Sequence, residues 1–299
     1  MTTASPLLAS VELGGTKIIC AVGDRNGTIV DSVRIDTAAP PETSMLIDAA
    51  LDDLQQRHGA FSALGIAAFG PVELDRSRPD YGLIGNTPKP LWRGVSLIEM
   101  FSSRQVPVAL STDVGMAALA EATAGAGLGA PSIAYVTVGT GIGAALCVDG
   151  EIVIGAGHAE AGHMVCPRAQ GDAYDGGCPA HGDCIEGMAA GPAIKARWGA
   201  PLDAVAEPAA IDIIAHYVAH LVVNLTLVAR PHRIVMGGGV MDTPLLLGKV
   251  RSKAADLVNG YIDVVRSGDW AGYIVPCALR DAGLAGGLIA AGQLDGKLK

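Results

Sequence analysis

Aromatic residues are scarce: 3 Trp, 6 Tyr and 3 Phe among 299 positions. The core must therefore be built mostly of Ala, Val, Leu and Ile. Half of the residues are apolar, which suffices for a full core without disulfides. Positive charge is also short, with 21 Lys and Arg against 30 Asp and Glu and a net charge of −9. That balance argues against nucleic acid or an anionic membrane as the main partner, and leaves room for a phosphate ligand held by backbone amides. The opening stretch MTTASPLLASVELGG has no basic region and no long apolar run, so no signal peptide is expected. The apolar patch LVVNLTLVA at 221–229 is too short to span a bilayer. Cysteines are scattered, at 20, 147, 166, 178, 184 and 277, and only two have ligand-like spacing. The other four read as buried small hydrophobes in a reducing compartment, which makes the cytoplasm the expected location.

Glycine, by contrast, is abundant, with 40 residues, and its placement is informative. ASVELGGTKIICAVGDRNGTIVDS near the start and AYVTVGTGIGAALCVDGEIVIG in the middle share one pattern. Each is an apolar strand, a glycine turn, a second apolar strand, a polar turn and a third short strand. Such units are β-meanders, and seeing the unit twice predicts two domains of one topology. After each meander the period changes. SMLIDAALDDLQQR (44–57) is helical, and ALGIAAFGPV is a buried strand. VPVALSTD is a strand that delivers Asp113 to an Ala-rich helix. Ile211, Ile214, Ala215, Val218, Val222 and Leu225 mark a long amphipathic helix. RIVMGGGVM is a strand running into three glycines. The chain is expected to be α/β, with two lobes and a cleft between: an N-terminal lobe over 1–115, rejoined by 280–299, and a C-terminal lobe over 116–279.

Three glycine turns, GGTK (14–17), GTGIG (139–143) and GGG (237–239), follow apolar strands. Glycine lets backbone N–H groups come close to an anion. None of the three is a Walker A or a G-x-G-x-x-G motif, so each alone is also compatible with an ordinary tight turn. Together, at strand ends in repeated units, they suggest hairpins that grip a polyphosphate.

One cluster stands apart. In HMVCPRAQGDAYDGGCPAHGDC (163–184), His163, Cys178, His181 and Cys184 offer a complete Cys2His2 ligand set. Closed four-ligand zinc sites are structural, whereas catalytic zinc keeps a position for water. Two other readings stand beside it. HAE at 158–160 matches the first half of a zinc-deaminase signature, but five residues separate the cysteines where P-C-x-x-C is required. A cluster of unliganded core residues is the third reading.

ELGGTK, FGPV, STD, VTVGTGIGAAL, HAEAGHM, CPAHGDCIEGMAAGPA and IVMGGGVM occur in the order found in ROK-family sugar kinases, and the chain resembles most their bacterial fructokinase branch. The resemblance covers essentially the whole chain. It implies the actin-like ATPase fold, two RNase H-like lobes with ATP and a hexose between them. It also implies a homodimer and Mg2+ bound with ATP. By the resemblance Asp113 is the catalytic base; without it, Asp113 reads better as a helix cap. Glu12 would lie near the magnesium waters, or else be a solvated strand-end charge. Gly14, Gly15, Thr16 and Lys17 on the first hairpin, and Gly139, Thr140 and Gly141 on the second, would meet phosphate. Gly237, Gly238, Gly239 and Pro192 would line the nucleotide pocket. Glu160, His163 and Glu186 match sugar-contacting positions. The Cys2His2 set would hold a structural zinc that orders this loop, with His163 serving both the metal and the sugar. Two departures from the ROK glucokinase pattern favour fructose. Thr112-Asp113 stands where those proteins typically read Asn-Asp, and Lys89, in TPKPLW, stands where they carry an Asn. Lys89 is thus either a sugar contact or an exposed loop residue. Three functions follow: a fructose kinase, a ROK kinase for glucose or mannose, and a sugar sensor. A sensor of the repressor type would carry a DNA-binding domain before the first hairpin, where only about ten residues stand, and it is the least expected.

Overall fold

The computed structural model describes residues 6–263 and 268–297. They form two compact units. The first holds the described residues up to Leu128, with 150–158 and Leu279 onward; the second holds 129–149 and 159–278.

In the first unit β1 (Leu7–Leu13), β2 (Lys17–Gly23) and β3 (Ile29–Asp36) form the antiparallel meander. Helix α1 (Pro40–His58) then leads to β4 (Phe61–Ala68), the short α2 (Leu97–Met100) and β5 (Val108–Thr112), and α3 (Asp113–Ala124) follows without a break. The sheet order is β3-β2-β1-β4-β5, with β4 parallel to both β1 and β5. Central β1 and β4 are mostly buried and read as near-continuous apolar runs, broken only by Ser10, Glu12 and Ser62, whereas β3 alternates half-buried and exposed residues as an edge strand does. Ile47, Leu51 and Leu54 of α1 recur at helical spacing and are buried, each contributing roughly 1.5–3 kcal/mol by leaving water.

The second unit repeats the plan. β6 (Ser132–Val138) and β7 (Ile142–Val148) are antiparallel, and a turn at Asp149–Gly150 leads into β8 (Glu151–Ile152). Helices α4 (Ile185–Ala189), α5 (Gly191–Trp198) and α6 (Ala210–Ala229) precede β9 (Arg233–Gly237). Then come α7 (Leu246–Val258), α8 (Trp270–Tyr273) and β10 (Ile274–Pro276). β9 is parallel to β6 and to β10, so β7-β6-β9-β10 reproduces β2-β1-β4-β5. The two domains of one topology read from the repeated meander are therefore present.

The last helix, α9 (Ala282–Lys297), packs on the first unit's sheet and on α3. Backbones touch there: a Cβ on Gly65 would stand 2.0 Å from the Gly287 carbonyl oxygen, and one on Gly286 1.8 Å from that of Met116. This fit ties α3 to the first unit, so the first boundary falls after Leu128 and not at 115. The segment 150–158, placed by sequence in the C-terminal lobe, also belongs to the first unit. Residues 298 and 299 of the returning segment lie outside the described residues.

Two sequence expectations need correction. Helix α6 runs for 20 residues, far longer than the 221–229 patch, and by length and composition alone it could cross a membrane. Its residues Ile214, Tyr217, Val218, Leu221 and Val222 are fully buried in the second unit's core, which explains its apolar composition without a bilayer. Of the four cysteines read as buried, Cys20 and Cys147 are, but Cys166 and Cys277 are only partly covered.

Candidate active site

Strand register assembles the first group of residues. Leu13 pairs with Ala68 across β1 and β4, and Ala68 with Thr112 across β4 and β5. The glycine hairpin after Leu13 and the carboxylate after Thr112 therefore emerge level with each other, at the carboxyl ends of parallel strands, where open α/β sheets bind ligands. The hairpin is held by Gly14 N–H donating to the Lys17 carbonyl at 3.1 Å, and by the Thr37 hydroxyl donating to the Gly14 carbonyl at 3.0 Å. Thr112 caps α3, its Oγ1 accepting from Gly115 N at 2.9 Å. The capping role considered for Asp113 thus belongs to Thr112. Asp113 occupies the first helical position and accepts from Val114 N at 2.8 Å.

The electrostatics of this group are unusual. Burial raises the Asp113 carboxyl above the ordinary carboxylate range, against the helix-start N–H groups and the charges of His158 and Lys89. Glu12 is pushed up to about 7, first by burial and then by Asp113 and Asp281, with Lys17 opposing. Crowded carboxylates of this kind, with Glu12 and Asp113 partly buried, are a pattern that recurs at functional sites. They also suit a divalent cation, whose charge would relieve them.

The Glu12 shift has a direct consequence for stability. Its folded value lies above the unfolded one, so between pH 4.5 and about 7 the native state binds more protons and stability falls as pH rises. At about 1.4 kcal/mol per unit the window is worth roughly 3 kcal/mol. Glu12→Gln is therefore expected to gain stability relative to wild type from pH 5 to pH 8 in metal-free urea melts. Parallel wild-type and variant curves would contradict this placement of Glu12.

The second unit gathers a different set. His163 ends a 3-10 turn, Ala161–His163, that packs tightly on β7: a Cβ on Gly162 would stand 1.9 Å from the Ile142 carbonyl oxygen. Cys178 closes a small hairpin with Gly182, whose φ of 62° suits glycine. Cys184 caps α4, its sulfur accepting from Gly187 N at 3.4 Å. The four donor atoms of His163, Cys178, His181 and Cys184 all lie within 4.8 Å of one another. His163 Nδ1 is 3.6 Å from Cys178 Sγ and 3.5 Å from Cys184 Sγ, and His181 Nδ1 is 3.7 Å from Cys178 Sγ. Ordinary Zn–S and Zn–N bond lengths in a tetrahedron place N and S about 3.6 Å apart, so the set fits zinc.

The other nitrogen of His163 faces the carboxylates. Nε2 lies 3.9 Å from Glu186 Oε1 and 4.0 Å from Glu160 Oε2. Glu186 is fixed in turn, its Oε2 accepting from Ile142 N at 2.8 Å, and a Cβ on Gly141 would stand 2.9 Å from that oxygen. His163 thus joins the thiol cluster to the two carboxylates. The remaining glycine turns also converge. Gly191 N donates to the Gly139 carbonyl at 2.7 Å, and Val240 N to the Val138 carbonyl at 3.0 Å. Gly139 to Gly141, Pro192 at the start of α5 and Gly237 to Gly239 therefore lie together.

Three neighbours of the first group are not among the residues the sequence marks for this site. Asp281 precedes α9, Phe69 follows β4, and His158 accepts from Val72 N through Nε2 at 3.1 Å. Lys89, by sequence either a sugar contact or an exposed loop residue, has a buried ammonium.

Two mixed sheets of one topology, each carrying a glycine hairpin at its strand ends, make this an actin-like ATPase fold. The ROK family model matches residues 8–291, and the chain belongs to that family. It is 39% identical to a putative fructokinase of Bacillus subtilis, over 96% of each chain. It is also 39% identical to a fructokinase of Pediococcus pentosaceus, over 95% of this chain and 97% of that one. The ROK hexokinase of Thermus thermophilus superposes with a TM-score of 0.78 at 25% identity, covering 98% of this chain and all of that one.

Proposed function

We propose that the chain transfers the γ-phosphoryl group of ATP to the 6-hydroxyl of fructose. It is a hexose kinase, a phosphotransferase to an alcohol. The observation that carries the mechanism is the partly buried Asp113 carboxyl, raised above the ordinary range and level with the Gly14–Lys17 hairpin. A base is most effective when its pKa approaches the working pH. In this reading Asp113 takes the hydroxyl proton, and the sugar oxygen forms its bond to the γ-phosphorus. The bond to the β,γ-bridging oxygen breaks, its electron pair leaving on ADP. Glu12 and Asp281 would face Mg2+, which neutralises phosphate charge when bound. Glu160, His163 and Glu186 hydrogen-bond the sugar hydroxyls. Gly139, Thr140, Gly141, Pro192 and Gly237 to Gly239 hold the nucleotide. The Cys2His2 cluster holds zinc structurally, keeping His163 Nε2 turned to the carboxylates. A homodimer in the cytoplasm completes the proposal.

Fructose is favoured over glucose because the relatives at 39% identity are named fructokinases. Thr112 also stands where ROK glucokinases carry an amide, and its hydroxyl offers fewer hydrogen bonds. A site built for particular hydroxyls rejects sugars that leave its buried polar groups unpaired. In a coupled assay, kcat/KM is expected to be highest for fructose, with mannose second, and NMR should identify a 6-phosphate. Glucose ahead of fructose by tenfold or more would assign the chain to another ROK substrate branch. No turnover with any hexose would favour a sensor.

A further inference from the structure

Lys89 carries a charge whose placement the sugar reading does not explain. Its ammonium lies over the Phe69 ring, 3.9 Å from the centroid. It stands 2.9 Å from where a Cβ on Gly15 would be, at the tip of the first hairpin. Among the described residues Nζ is buried and has no hydrogen-bond partner, although an ammonium has three N–H donors to satisfy. The backbone at Lys89 is anchored. Trp92 N–H donates to the Lys89 carbonyl at 2.9 Å, and Trp92, almost fully buried, meets Phe69 edge-on at 5.4 Å. The Lys89 and Asp113 charges also act on each other. An ammonium held over a ring face is attracted by the ring but leaves its N–H groups free to point elsewhere. Here they stand beside a glycine hairpin, within electrostatic reach of the Asp113 carboxylate.

We infer that Lys89 is a catalytic residue that grips the transferring phosphoryl group, donating hydrogen bonds to non-bridging γ-oxygens between the Gly15 turn and Asp113. This rests on the kinase reading but not on the identity of the sugar. The chemistry suits the position. Negative charge on those oxygens must be met by donors already in place, and a preorganised cation in a site closed to water does this most effectively. Lys89 transfers no proton: the hydroxyl proton goes to Asp113, and the bridging oxygen leaves on ADP. The absent Cβ at Gly15 acquires a reason, because a side chain there would stand 2.9 Å from the ammonium and force it to shift.

The test compares nucleotides that differ only in the γ-group. By titration calorimetry with Mg2+ and no sugar, Lys89→Met should weaken the non-hydrolysable ATP analogue AMPPNP by roughly tenfold or more, and leave ADP within about twofold, as expected for a lost charge-assisted hydrogen bond. Gly15→Ala, which displaces the ammonium without removing it, should reproduce that split. In turnover, kcat of Lys89→Met should fall about 10²-fold, the scale of a lost donor to developing charge, with the sugar KM nearly unchanged. Met keeps the stem packed on Phe69, so melting should not fall; if it does, Lys89→Gln is read in its place. Equal losses for AMPPNP and ADP, or no loss for either with a raised sugar KM, would overturn the assignment. Since the titration contains no sugar, a wild-type enzyme that prefers another hexose still gives the same split between AMPPNP and ADP. A wild type that binds neither nucleotide would overturn the kinase reading itself.

Discussion

Asp113→Asn should lower kcat by roughly 10²–10⁴-fold while sugar binding stays within about tenfold. The amide preserves size and can still accept the 2.8 Å bond from Val114 N, so the start of α3 should survive. Thr112, not Asp113, supplies the side-chain cap at 2.9 Å, which removes the main structural reason for a carboxylate here. What the variant loses is an oxygen able to take a proton. Wild type should also show an acid limb in its pH–rate profile above the ordinary carboxylate range, because burial favours the neutral form of Asp113. Activity is lost as pH falls through that raised value, when the base is protonated before the substrate arrives. Asparagine should abolish that limb in whatever turnover remains. A variant with near wild-type kcat would mean that the proton leaves by another route, and that Asp113 serves only the helix start.

The repeated fold was legible because period-two apolar strands and glycine turns are local signals, and they occur twice. The position of Asp113 was legible for the same reason, since a strand running straight into an Ala-rich helix can be seen in ten residues, whereas its role as a base came only from the family resemblance. Asp281 and His158 could not be found that way. They reach the first group only because α9 packs on β1 and β4 and because 150–158 joins the first unit, neither of which leaves a mark in nearby sequence. The boundary at 115 failed for a related reason. Whether α3 belongs with the strands before it or after it is decided by the backbone contact at Gly286, far along the chain. Lys89 shows the limit most clearly. A lysine between two prolines reads as a loop charge, and only the rings of Phe69 and Trp92 show that it is held in place.

Removing the metal should be felt as lost stability and weakened sugar binding together. One zinc per chain is expected by elemental analysis, bound by His163, Cys178, His181 and Cys184, whose donor atoms already cluster within 4.8 Å. All four positions of a tetrahedron are then filled by protein, which is the pattern of a structural site. The intervening loop has a second anchor that does not involve these residues. Asp172 pairs with Arg197 at 3.1 Å and accepts from the Tyr217 hydroxyl at 2.6 Å, and Tyr217 accepts from Ala169 N at 3.2 Å. Metal loss should therefore release the Cys178–Cys184 end and His163 while the Ala169–Asp172 end stays docked. His163 then no longer has its Nδ1 held, and its Nε2 is free to leave Glu186 and Glu160. Chelation or Cys178→Ser should lower Tm by roughly 5–15 °C, a few kcal/mol at the 2–4 °C per kcal/mol expected for chains of this size. The sugar KM should rise more than the nucleotide KM. If zinc itself did the chemistry, chelation would instead abolish kcat with the fold and the sugar KM intact. A metal-free protein with unchanged melting and turnover would leave the four residues as an ordinary patch of core and surface, and His163 oriented by its carboxylates alone.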